Sequence, residues 1–321
     1  MQKQKIGKLV FLSALLGIVF GDFFVGDFIG NSQKEQISGL AESKPAVPLL
    51  PQKQTIPITQ NVSRDQLEFQ RLMDLFRDRQ LSKLSMDEVL QKVADKFLGA
   101  SYHAGLLDRG ETEQLFISLT EFDCVLFVET VLAFSRNLRS PDPTYENFVQ
   151  NIQEVRYADG KLDGYCSRLH YFSEWIRDNQ KRNIVRDLTA ELGGIPLKKT
   201  LNFMGNHWRK YSRMQNNEQN HQCILAMEQK LELAIQSEPL RYIPASKIRS
   251  IYPFLKAGDI IAVTTDLQGL DATHTGLVYL SPNGVGFIHA SPSGKVKISA
   301  DLQGYVERVD HAIGIMVARP N

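Results

Sequence analysis

Cysteine is scarce, with three residues in 321: Cys124, Cys166 and Cys223. Three are too few to staple a disulfide scaffold, and the odd count leaves at least one thiol outside any internal disulfide. Charge of one sign is also missing. Thirty-seven Lys and Arg stand against 36 Asp and Glu, a formal net charge of +1, so there is no global field to hold a polyanion and nucleic acid is not an expected partner. Long apolar runs are confined to the N-terminus. Hydrophobic residues make up 43% and charged residues 23%, an ordinary globular composition that excludes polytopic membrane, collagenous and wholly disordered classes. The sequence contains no H-E-x-x-H and no C-x-x-C, so it offers no familiar zinc-ligand spacing.

What is present first bears on location. Lys3, Lys5 and Lys8 precede the apolar run Leu9 to Phe20, the charged and hydrophobic parts of a secretory signal. That run is short for a bilayer span. Apolar character continues past Asp22 and Asp27 to Gly30 with no A-x-A cleavage site, so residues 1–30 are expected to be a signal peptide or an N-terminal membrane anchor. Export to the periplasm or cell envelope follows. No Cys follows the run closely enough for lipidation. Residues 31–64, rich in Gln, Ser, Lys and Pro, read as a disordered linker.

Residues 65–321 show a continuous globular pattern without a second linker or internal repeat, which predicts one domain. Ser85-x-x-Glu88 is a capping box ahead of Val89, Leu90, Val93, Ala94, Phe97 and Leu98, with Gly99 as the stop. Further helices are predicted from Asp123 to about Leu138 and from Ser167 to about Asn179. The last 65 residues change character. Runs at 259–265, 273–280, 285–290, 295–299 and 314–318, separated by Gly, Pro and Asn turns, predict a strand meander. Helices followed by antiparallel strands make the expected class α+β.

Cys124 follows Asp123, a good N-cap residue, and opens an apolar helix. A sulfur in the first helical turn sees the positive end of the helix dipole, which favours thiolate. A structural core Cys is the alternative for this residue alone. The strands supply its company, since His274 opens THTGLVYL and His289 closes VGFIHA. A two-residue turn at Asn283–Gly284 or a four-residue turn over Ser281–Gly284 keeps both imidazoles on one sheet face. One thiol and two imidazoles suggest nucleophile, base and orienter. Zinc ligation is the competing use, but a fourth ligand is not evident. His103, His170, His207, His221 and His311 lack such company. Cys166 and Cys223 read as buried or unpaired thiols, which would be able to pair in an exported protein.

With FLGASYHAGLLDRGE, LFISLTEFDCVLFVETVLAF, SRLHYFSEWIRDN, Asn202 to Met204, KAGDIIAVTTDLQGLDATHTGLVY and FIHAS in this order, the chain resembles the N-acetylmuramoyl-L-alanine amidase-like group of NlpC-type papain-like cysteine hydrolases of bacterial cell-wall peptides. The resemblance runs from about Lys92 to the C-terminus. It implies a papain-like fold with the nucleophile helix packed on an antiparallel sheet, and cleavage of amide bonds in peptidoglycan or muropeptides without a cofactor. Cys124 matches the nucleophile, His274 the base and His289 the third polar residue. The chain departs from the group where Val125 and Leu126, not a small hydroxylated residue, follow the Cys. Tyr102, Arg168, Tyr171, Trp175 and Asn202 are the candidate substrate-binding positions. Tyr102 would hydrogen-bond near the cleft, Arg168 would fork onto a stem-peptide carboxylate, and Trp175 would stack on a sugar or line a groove. A stem-peptide endopeptidase cutting at a D-glutamyl bond, or a non-catalytic wall-binding module, are the other readings.

Overall fold

The computed structural model describes residues 58–59, 62–77 and 84–321. The N-terminal segment 1–30 and residues 31–57 of the expected linker lie outside them. Nearer its end, that linker already holds structure. Strand β1 (Ile58–Thr59) pairs in parallel with β3 (Leu115–Phe116), and helix α1 (Val62–Phe76) starts before Arg64. Among the described residues no helix is long and apolar enough to cross a membrane.

The fold is α+β, with several helices against a curled half-barrel sheet. Its centre is β8 (Ile260–Thr265), β9 (Ala272–Ser281), β10 (Gly284–Ser291) and β11 (Lys295–Ser299), a meander in chain order. β12 (Ala312–Pro320) leaves that order and returns to pair antiparallel with β8 on its free edge. Short strands complete the sheet. β4 (Glu121–Phe122) and β2 (Ser101–Tyr102) lie beyond β11, and β7 (Arg241–Pro244) and β6 (Ile195–Pro196) lie beyond β12, which also pairs with β5 (Val185–Asp187). β8 is buried along its whole length because both faces are covered. Ile260 and Ala262 join one apolar core, and Ile261 and Val263 join a second on the opposite face.

Helix α2 (Met86–Lys96) begins as its capping box predicts, the Glu88 carboxylate accepting the Ser85 backbone N–H at 2.9 Å. Helix α3 (Cys124–Leu138) starts where Asp123 caps it, accepting the Leu126 N–H at 2.8 Å. It is apolar nearly all round, as befits a helix enclosed by α2, by α4 (Tyr145–Arg156) and by strands β9 and β10. The helix expected to start at Ser167 starts at Phe172 instead, as α5 (Phe172–Lys181). Long-range partners outweigh local propensity there. The Leu169 N–H donates to the Arg156 carbonyl at 3.0 Å, and the buried Asp271 carboxylate takes the Ser173 N–H at 2.6 Å.

A third apolar cluster is built by the helical turns α6 (Phe203–Asn206) and α7 (Ser212–Gln215) with the long α8 (Glu218–Ser237). Here Cys166 and Cys223 form a disulfide that ties the turn at 165–167 to α8. Neither is therefore a free thiol. After β11 a single turn, α9 (Leu302–Val306), leads into β12.

Candidate active site

The site lies where α3 meets the β9–β10 hairpin. The hairpin turns over Pro282–Asn283, with Ser281 paired to Gly284 and Val285 to Leu280. This register keeps His274 and His289 on one face, one diagonal step apart. The paired residues of β9 and β10 run only as far as Leu277 and Ile288. His274 and His289 lie just past that paired stretch. His274 Nε2 and His289 Nδ1 meet there at 2.7 Å. The backbone amide of Thr275, next in sequence to His274, is directed at Cys124.

Cys124 stands outside the Cys166–Cys223 disulfide and is buried. Burial is the largest influence on its thiol and pushes it well up, and the Asp123 carboxyl adds to this, while the backbone N–H groups of Thr275, Cys124 and Val125 act in the opposite sense. Burial also pushes His274 down to about 3 and His289 down to about 2, with Lys297 adding to both and His274 adding to His289. All three shifts act against the charged forms of the thiol and the imidazoles. Burial raises Asp123 to about 7, so the carboxyl that caps the helix is itself poised near neutrality.

Hydrogen bonding orders the tautomers. His289 Nε2 faces the Ser299 hydroxyl at 3.4 Å and His289 Nδ1 faces His274 Nε2. If His289 gives its Nε2 proton to Ser299, its Nδ1 accepts the Nε2–H of His274, and His274 Nδ1 keeps a lone pair for a thiol proton. Ser299 went unnoticed in the sequence because one serine at a strand end carries no signal. Tyr305 of α9 did too. Its ring centroid lies 4.6 Å from that of His289 and 6.0 Å from that of His274.

The remaining candidate positions divide. Tyr102 lies on β2, paired with Phe122 just ahead of the Asp123–Cys124 segment, and its backbone N–H donates to Gly294 at 2.9 Å. Arg168 lines a cleft together with Asp123, Val125, Tyr165, His170 and Tyr211. Its guanidinium already reaches Asp108 at 2.5 Å and the Leu107 carbonyl at 2.9 Å. Burial opposes ionisation of Asp108, but the Arg168 charge outweighs it and holds the carboxyl below its usual range. Tyr171 is buried and bridges secondary structure, giving its hydroxyl proton to Glu228 at 2.7 Å and accepting the Met204 N–H at 3.1 Å. Trp175 is only 1% exposed, stacked on Phe172 and donating its indole N–H to Glu129 at 3.2 Å. So enclosed, it offers little surface for the sugar stacking expected of it. Asn202 sits at the start of α6, its backbone N–H bonded to the Gly269 carbonyl at 3.1 Å, just ahead of β9. The departure at Val125 places an apolar side chain on the cleft wall. Among the described residues no three His, Cys, Asp or Glu side chains converge as a ligand set.

A buried thiol at a helix start thus lies beside the hairpin that carries two hydrogen-bonded imidazoles. The chain belongs to the AmiA-like family of N-acetylmuramoyl-L-alanine amidase-like proteins, whose pattern matches residues 92–315. This is a family of hydrolases acting on amide bonds. Among solved structures, an N-acetylmuramoyl-L-alanine amidase from Bacteroides uniformis is 31% identical, covering 74% of this chain and 99% of its own, with a TM-score of 0.67. A Bacteroides fragilis protein carrying a provisional xylanase label is 34% identical over 71% of this chain and 99% of its own, with a TM-score of 0.65. A Legionella pneumophila protein, at 20% identity, 80% and 95% coverage and a TM-score of 0.60, shares the fold. No curated protein matches the chain.

Proposed function

We propose that this protein is a cysteine amidase that hydrolyses the bond between the lactyl group of N-acetylmuramic acid and L-alanine in peptidoglycan or muropeptides. The observation that carries the reading is the 2.7 Å bond between His274 Nε2 and His289 Nδ1, formed beside the backbone amide directed at Cys124. The Cys124 sulfur attacks the amide carbonyl as its proton passes to His274, the His274 imidazolium protonates the leaving L-alanyl nitrogen, and water deprotonated by His274 then releases the lactyl carboxylate. His289 holds the ring of His274. Backbone N–H groups at the start of α3, and that of Thr275, are available for the oxyanion.

The amidase family and the Bacteroides uniformis neighbour support the bond assignment over cleavage within the stem peptide. In this reading residues 65–321 form one NlpC-type, papain-like hydrolase domain, and residues 1–30 export it or anchor it at the cell envelope. No cofactor enters the scheme. Incubation with defined muropeptides and mass spectrometry of the products tests it. Release of the intact stem peptide with a free L-alanine amine is expected. Products cut within the peptide would overturn the bond assignment.

A further inference from the structure

We propose that Tyr305 is a positioning residue that seals the His274–His289 pair from water and fixes the ring of His289, and that a clamp on α9 made by Arg249, Tyr252 and Asp301 holds it there. The role in catalysis rests on the amidase reading, whereas the sealing role does not.

His289 lies between two aromatic rings. Phe287 stacks on it at 4.8 Å and 21°, and Tyr305 leans on it at 4.6 Å and 56°. Tyr305 also packs on Phe287 at 4.9 Å. Such contacts restrict ring rotation and exclude solvent from the hydrogen bond to His274.

The helix that carries Tyr305 cannot place it unaided. α9 is one turn of five residues, far below the length at which a helix is stable alone. Its orientation is imposed from both ends. Leu302 and Val306 are buried in the core on the outer face of the sheet. Asp301 accepts the Gly304 N–H at 3.0 Å, Arg249 Nη2 at 2.7 Å and the Tyr252 O–H at 2.7 Å. The Tyr252 hydroxyl accepts the Gln303 N–H at 2.7 Å, and the Gln303 side-chain oxygen accepts the Arg249 N–H at 2.8 Å. Gly304 is required under this cap, because a Cβ there would stand 2.6 Å from the Asp301 carboxylate. Five named hydrogen bonds thus aim a single turn at the histidine pair.

The groups that act on the pair are Lys297 and Ser299 from β11 and Tyr305 from α9, with Cys124 and Arg308 acting in turn on Tyr305. None of these is a carboxylate able to steady an imidazolium, so exclusion of water keeps both rings neutral. Opening the seal lets His289 take a proton. A protonated His289 has no lone pair for the His274 Nε2–H, and the base loses its tautomer.

The test is a pH titration of the full chain by nitrogen-15 NMR of labelled histidine, on the wild type, Tyr305→Phe, Tyr305→Ala and Arg249→Ala. Wild type and Tyr305→Phe should keep both rings neutral well below the ordinary imidazole value of about 6.5. Tyr305→Ala should move the His289 titration up by about two pH units or more. Arg249→Ala, which leaves the ring and alters only the clamp, should shift it the same way by less, and it decides the matter if Tyr305→Ala does not fold. A folded Tyr305→Ala with the wild-type titration, or an Arg249→Ala unshifted when the alanine variant is unfolded, overturns the proposal. So does a Tyr305→Phe that shifts like Tyr305→Ala. Muropeptide turnover is measured in parallel. Tyr305→Ala should lower kcat at weakly acidic pH more than at pH 8 and leave KM unchanged. A wild type without turnover would sink the amidase reading and leave the titration result standing.

Discussion

His274 and His289 meet edge to face, their ring planes at 89° and their facing nitrogens 2.7 Å apart. One ring can therefore donate along its plane to the lone pair of the other, and the pair has a direction. From that direction the two histidines are expected to differ in what they tolerate.

Replacing His274 removes the group that accepts and returns the thiol proton, and a carboxamide does neither. His274→Asn should lower turnover by roughly 10²–10⁴-fold, the usual range for a lost general acid–base. His289 only accepts a hydrogen bond, and an Asn oxygen can do the same. His289→Asn should retain more activity than His289→Ala, and both should exceed His274→Asn. Equal loss in folded His289→Asn and His274→Asn would mean that the roles are shared or reversed.

Cys124→Ser should fold as the wild type does and lose turnover by several orders of magnitude, since a hydroxyl in the same buried position is a far weaker nucleophile. Because Cys166 and Cys223 are joined, thiol titration of the unfolded, unreduced protein should find one free sulfhydryl, and mapping should place it at Cys124. Three free sulfhydryls, or a label on either other Cys, would contradict this.

The disulfide closes a loop of 57 residues in sequence separation. In the chain-entropy description a loop of that size is worth up to about 4 kcal/mol. Cys166→Ser/Cys223→Ser, or thiol reduction of the wild type, should lower Tm by several degrees. The loss should concentrate in the cluster around α8, which hydrogen exchange would show as early opening there.

Stability should fall in acid, and the sign follows from the histidines. Their folded titrations, about 3 and about 2, lie below the unfolded value of about 6.5. The unfolded chain therefore binds more protons between those limits. The stability held by neutral His274 and His289 is complete above about pH 6.5 and is lost progressively as pH falls towards 3. Asp123 and Glu174, each raised to about 7 by burial, act in the opposite sense and favour the folded state as pH falls from 7 towards their ordinary range. Replacing His289 by Asn should shrink the fall in Tm between pH 7 and pH 4. An unchanged or larger fall would show that the buried imidazoles are not its source.

Local chemistry determined the parts of this protein. The Ser85–Glu88 box, the Asp123 cap and the alternating runs between 259 and 318 each depend on residues within a few positions of one another, and each element stands where that chemistry puts it. The parity of a hairpin is likewise a local property, so the neighbourhood of His274 and His289 was legible before any coordinates. The tertiary structure decided whatever rests on long-range partners. Against a helical pattern, the Leu169 N–H goes to the Arg156 carbonyl and α5 starts only at Phe172, with Asp271 holding the Ser173 N–H in its first turn. Trp175 is enclosed in the main apolar core, where Glu129, 46 residues away, takes its N–H. The Cys166–Cys223 bridge, the approach of the Thr275 amide to Cys124, and the placement of Tyr305 over the imidazoles each join segments that are not neighbours in the chain. Sequence spacing carries no record of such pairings, since a hydrogen bond or ring contact closed across the fold leaves no periodicity in either segment.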